Sequence, residues 1–75
     1  MARNALSIGE LARIMDVSTA TIRSWEERYG WPRPHRSSGG HRRYKESDVT
    51  HYRRVARLRR DLGTRDAILR AGGLN

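Results

Sequence analysis

SIGELARIMDVSTATIRSWEERYG, residues 7–30, decides the fold. Ser7 and Glu10 have the S-x-x-E spacing of a capping box, which predicts a helix beginning at Ile8. Ile8, Leu11, Ala12 and Met15 then share its inward face. Asp16 falls where the chain must turn, and Asp is one of the few non-glycine residues that tolerates a positive φ. Val17 fills the corner, and Ser18 caps a second helix running from Thr19 to about Arg28. Ile22, Trp25 and Tyr29 lie on one face of that helix, and Gly30 suits its end. Ala12 is small enough for two helices to cross steeply through so short a turn. These features together predict a helix-turn-helix, whose second helix can enter a DNA major groove.

The wheel of the second helix sorts cleanly. Ala20, Arg23, Ser24 and Glu27 lie opposite the Ile22–Trp25 side, with Thr19 at the near edge. Such a face is either a groove-reading surface or an ordinary solvated one. Small residues at the helix start favour the first, because they let the backbone approach DNA closely. Trp25, on the Ile22 side, is expected in the core.

Residues 31–45, WPRPHRSSGGHRRYK, have a different character. Pro32 and Pro34 bar a helix and bias their neighbours to extended backbone. Ser37, Ser38, Gly39 and Gly40 form a tip between the arms of a short hairpin. Arg33, Arg36, Arg42, Arg43 and Lys45 bring five positive charges with no acid among them. A basic hairpin beside a helix-turn-helix reads as a wing, lying along the phosphate backbone or entering a minor groove. Tyr44 is expected to pack back on the core. Residues 1–6, before the first helix, are expected to form a frayed leader.

A third helix is expected from about Glu46 to Leu62, with Val49, Tyr52, Val55, Ala56, Leu58 and Leu62 as its apolar face. Arg53, Arg57 and Arg60 form a stripe away from that face, either solvated or in contact with phosphate. Gly63 ends this helix, and Thr64 is expected to cap a short fourth one carrying Ile68, Leu69 and Ala71.

Composition narrows the function. Sixteen basic residues, fifteen of them Arg, against eight acids give a net charge of +8. Arginine's planar fork of donors suits phosphate and guanine edges, and a small basic domain is most often a nucleic-acid binder. With no cysteine there is no disulfide and no thiolate metal site. No apolar run approaches the roughly 18 residues of a membrane span. His35, His41 and His51 have no completing ligand set, and Ser37 and Ser38 lack an orienting acid near His41. Gly39–Gly40 precedes no helix directly and has no following Lys-Ser/Thr, so it is no phosphate loop. An enzyme is not expected.

The combination S-I-G-E-L-A, V-S, T-I-R-S-W-E-E-R-Y-G, G-G-H-R-R-Y and a D-V helix ending L-G resembles the MerR family of bacterial transcription regulators, from Leu6 to about Ala71. Arg23 to Gly30 is closest to its branch of light- and cobalamin-linked repressors of carotenoid genes and curli-type regulators. The resemblance implies a mainly α, winged helix-turn-helix single domain over residues 1–75, with about four helices and a short β-hairpin. It implies double-stranded DNA as partner, RNA polymerase as a further one, no membrane, and a cytoplasmic, nucleoid-associated setting. Family contacts carried over fall on Arg23, Ser24, Thr19 and Thr21 of the recognition helix, and on Arg42 with His41 and Arg43 of the wing. With the helix face and hairpin arms, the expected DNA-binding set is Thr19, Ala20, Thr21, Arg23, Ser24, Glu27, Arg28, Arg36, Gly40, His41, Arg42 and Arg43. No cofactor is expected in this chain; the resemblance leaves room for a cobalamin-binding effector domain in a longer parent protein. The free chain is expected to be monomeric and to be paired or oligomeric on DNA.

Asp16 stands where the family usually has Gly, and Lys45 where Ser or Thr often caps the third helix. The family's dimerisation helix and effector domain do not fit in 75 residues, so the chain is expected to be an isolated DNA-binding domain or a small relative without an effector. Two further readings stay open. One is an architectural, excisionase-like DNA-binding factor. The other is a protein-interaction module that docks an acidic partner through the third or fourth helix.

Overall fold

A computed structural model describes residues 5–36 and 40–72 of the chain, with backbone only at 35–36. The expectations for residues 1–4, for tip residues 37–39 and for Gly73 lie outside them. In order come β1 (Ala5–Leu6), α1 (Ile8–Met15), α2 (Thr19–Tyr29), β2 (His35–Arg36), β3 (Arg42–Lys45), a 3-10 turn (Glu46–Asp48), α3 (Val49–Leu62) and α4 (Thr64–Arg70).

Local chemistry sets the helix-turn-helix. The Ser7 hydroxyl accepts from the Glu10 N–H at 3.2 Å, and the Glu10 carboxylate accepts from the Ser7 N–H at 3.0 Å. Asp16 ends α1 in the left-handed region, φ 58° and ψ 46°. The Val17 N–H then reaches back to the Ala12 carbonyl at 3.0 Å. Ser18 Oγ accepts from the Thr21 N–H at 3.1 Å and so caps α2, which closes at Gly30 with φ 66°. Leu11, Ala12, Met15, Ile22 and Trp25 are buried, as their spacing predicts.

The leader does not fray at its inner end. Ala5 pairs with Lys45 and Leu6 with Tyr44, so β1 lies antiparallel to β3. On its other edge β3 pairs with β2, His35 opposite Arg43 and Arg36 opposite Arg42. The sheet order is β1-β3-β2, with the second arm of the hairpin in the middle. Buried Leu6 and Tyr44 face one another across the first pair, which gives Ala5–Leu6 a reason to be ordered.

Three expectations for the C-terminal half need correction. The third helix does not begin as α-helix at Glu46: Lys45 gives no side-chain cap, and a 3-10 turn precedes α3. Thr64 does not cap α4. It is the first residue of that helix, and its hydroxyl accepts from Arg59 Nε at 3.0 Å. Leu62 does not join the core, being 37% exposed, because the chain turns at Gly63 and packs Ala67 and Ile68 inward instead, with Leu69 45% exposed.

Trp31 was read only as part of the extended basic segment, yet it is buried at the centre of an aromatic group. Its ring centroid lies 6.0 Å from those of Trp25 and Tyr52, and its indole N–H donates to His51 Nε2 at 3.1 Å. Pro32 beside it is fully buried. Arg59 lays its guanidinium 5.2 Å from the Trp25 ring centroid, fastening α3 over the back of α2.

Candidate nucleic-acid interface

The helix α2 presents two unlike faces. Ile22 and Trp25 are buried, while Ala20, Arg23, Ser24, Glu27 and Arg28 are exposed and Thr19 and Thr21 half-buried. Thr21 Oγ1 shares a 2.9 Å hydrogen bond with Ser18 Oγ, so this hydroxyl is part of the helix start. The α2 N-terminus, with its positive end of the helix dipole, carries only Ser, Thr and Ala in its first turn.

Wing residues Gly40 and His41 are exposed, Arg42 and Arg43 half-buried, Tyr44 buried and Lys45 exposed. Gly40 has φ 81°, a left-handed conformation that suits glycine as the chain enters the second arm. Arg36 lies on β2 opposite Arg42.

Side chains alternate along a strand, so Arg42 and Tyr44 share one face of β3 while Arg43 and Lys45 share the other. The first pair turns towards α2 and meets Glu26. Arg42 Nε donates to Glu26 Oε1 at 2.9 Å, and the Tyr44 hydroxyl donates to Oε2 at 2.5 Å. Burial, reinforced by that carboxylate, raises the Tyr44 pKa well above the usual phenol value. On the other face, Arg43 Nη1 donates to the Arg42 carbonyl at 3.0 Å.

Glu26, which joins the two elements, lies outside the expected DNA-binding set. Its signal was faint: an acid at the flank of the Ile22–Trp25 face, followed by a basic segment containing none. The sequence holds nothing that would join it to Arg42, 16 residues on.

Among the described residues no group of three or more His, Cys, Asp or Glu could hold a metal ion. His51 Nε2 accepts from the Trp31 indole N–H, and both line a shallow cavity of about 180 Å³ with Pro32, Arg33, Asp48 and Tyr52. No described helix is long and apolar enough to cross a membrane.

Residues 6–65 match the model of the MerR HTH family regulatory proteins. The chain belongs to the MerR family. Its curated relatives include the HTH-type transcriptional repressor CarA of Myxococcus xanthus, 48% identical over 59 residues, which are 77% of this chain and 20% of that protein. CarH of the same organism is 36% identical over 58 residues, 77% of this chain and 19% of that repressor. The HTH-type transcriptional regulator MlrA of Escherichia coli is 39% identical over 51 residues, 68% of this chain and 21% of the regulator. The chain therefore spans about a fifth of the length of these relatives. These are transcriptional regulators with a DNA-binding domain, not enzymes, and they match the branch that Arg23 to Gly30 suggested. A mainly helical MerR domain with this antiparallel hairpin is a winged helix-turn-helix. MerR-family regulators bind double-stranded DNA, and this domain is of the kind that does so for regulation.

Proposed function

We propose that this MerR-family domain reads a specific duplex sequence, with α2 in the major groove and the wing on the flanking backbone or minor groove. Thr19, Ala20, Thr21, Arg23, Ser24, Glu27 and Arg28 form the helix side of the contact, and Arg36, Gly40, His41, Arg42 and Arg43 the wing side. One observation carries the reading: the exposed Arg23–Ser24–Glu27 face of α2 is joined, through Glu26, to a β-strand bearing two arginines. Arg23 is the base reader, since a guanidinium fork fits the O6 and N7 acceptors of guanine. Arg43 and Lys45, on the strand face turned from Glu26, hold phosphate. The free domain is a monomer that pairs on inverted half-sites, with RNA polymerase as a second partner in regulation.

Selection on random duplexes tests this. The wild-type domain should recover a defined motif. Arg23→Ala should relax the preference at one position and cost about 1–3 kcal/mol on the selected site. An equal loss from Arg23→Ala on every duplex would assign base readout to another residue. Recovery of no motif, with adjacent binding and bending at many sites, would point to an architectural factor. Binding that ignores DNA and persists at high salt would point to a protein-docking module.

A further inference from the structure

The wing occupies both oxygens of one carboxylate on the recognition helix. Glu26 takes Arg42 Nε on one and the Tyr44 hydroxyl on the other, and its side chain is only 12% exposed against 30% for Arg42. The contact is thus shielded on the acid's side and open on the arginine's. Screening by salt is weaker for such a partly buried pair than for a surface one.

We infer that Glu26 is a positioning residue of the DNA-contacting surface: it sets the angle of the wing on α2 and turns Arg42 so that its terminal amino groups meet the phosphate backbone. The inference rests on the DNA-binding reading above. A free arginine loses much rotational freedom when it docks, and a guanidinium already held by Nε loses less. The bond to Glu26 uses only that one edge of the fork, and Nη1 and Nη2 carry the remaining donors. An acid so near a DNA surface would otherwise repel phosphate; paired with Arg42, its charge is compensated. The Tyr44 hydroxyl takes the other oxygen from the core side, where its fully buried ring holds the fold, while the charge of Glu26 holds Arg42.

The test uses the duplex recovered by selection and four variants: Glu26→Gln, Arg42→Ala, the double variant and Tyr44→Phe. Glutamine keeps an amide oxygen for the Tyr44 hydroxyl but lacks the charge that holds Arg42. Glu26→Gln and Arg42→Ala should each weaken binding about tenfold, and the double variant should be no weaker than either alone. Tyr44→Phe should lower the Tm yet leave affinity within about twofold below the transition. Losses that multiply to about a hundredfold in the double variant would overturn the positioning role and leave the DNA reading standing. So would a Tyr44→Phe loss of affinity equal to that of Glu26→Gln, since Glu26 would then serve only to hold the fold. If the wild-type chain recovers no duplex, the DNA reading itself fails and the positioning role falls with it.

Discussion

The salt dependence of DNA binding is the sharpest consequence of the wing. Each phosphate neutralised by a protein cation releases condensed counterions, and log K falls against log salt by about 0.9 per contact on B-form DNA. On the proposed reading, which directs Arg23 at bases, the cations of α2 and the β2–β3 hairpin left for phosphate are Arg28, Arg36, Arg42, Arg43 and Lys45. Five contacts give a slope of about −4.5, a loss of roughly 500-fold between about 50 and 200 mM salt. Arg43→Ala should flatten the slope by about 0.9 and weaken every sequence alike, because its strand face turns away from Glu26. Arg57→Ala, on the exposed stripe of α3, should leave the slope unchanged if the contact ends at the wing. Fluorescence anisotropy of a labelled duplex over a salt series measures all three. A wild-type slope shallower than about −2, or an Arg57→Ala effect equal to that of Arg43→Ala, would refute the assignment of phosphate contacts to the hairpin.

Other outcomes concern stability. Burial, with Asp48 adding to it, pushes the Tyr52 pKa up to about 12 from 10.0. The fold therefore favours the neutral phenol: its contribution is whole below pH 10 and is lost as pH rises through 12, on the order of 2–3 kcal/mol. Tyr44 adds in the same direction, so urea midpoints should fall steeply above pH 10, and a flat profile there would contradict the burial of both rings. Trp31→Phe, which removes the donor to His51 and part of the aromatic packing, should cost about 1–3 kcal/mol by thermal denaturation. Asp16→Gly should be neutral within about 0.5 kcal/mol, since relief at φ 58° is offset by a more flexible unfolded chain, whereas Asp16→Val should lose about 1–2 kcal/mol.

What could be read from the sequence was what short-range chemistry decides. The caps at Ser7 and Ser18, the left-handed corner at Asp16 and the stop at Gly30 each act over a few residues, and with the 3.6-residue period they were enough for the helix-turn-helix. The hairpin followed from its prolines, glycines and charge. What escaped depended on partners far along the chain. Ala5–Leu6 is a strand only because β3 offers it an edge, and two residues carry no period of their own. Trp31 opens the proline-rich basic segment, and nothing local marks it for the core; its burial comes from Tyr52 and His51 on a helix 20 residues later. Leu62 and Leu69 fit the apolar arcs of their helices, but the turn at Gly63 decides which residues α4 turns inward. Thr64 had the right type for a cap and lost that role to the reach of Arg59.

The same long-range contacts explain how the domain holds α2 and the hairpin at a fixed angle. Neither a two-residue strand nor an isolated hairpin is stable alone in water. Here the hairpin's second arm is the middle strand of the sheet, bounded by β1 on one edge and β2 on the other. Its inward face is anchored twice, by the buried Tyr44 ring in the core and by Glu26 on α2. The helix α2 is anchored from behind by Trp25, which sits against Trp31 and beneath Arg59. The core residues Trp25 and Tyr44 are therefore sequence neighbours of the proposed contacts Ser24 and Arg43, and each tethers its element to the same aromatic centre or to the carboxylate beside it. A shift of the wing relative to α2 must break the Glu26 pair or move the buried ring of Tyr44. For that reason the angle between α2 and the hairpin is a property of the folded domain itself.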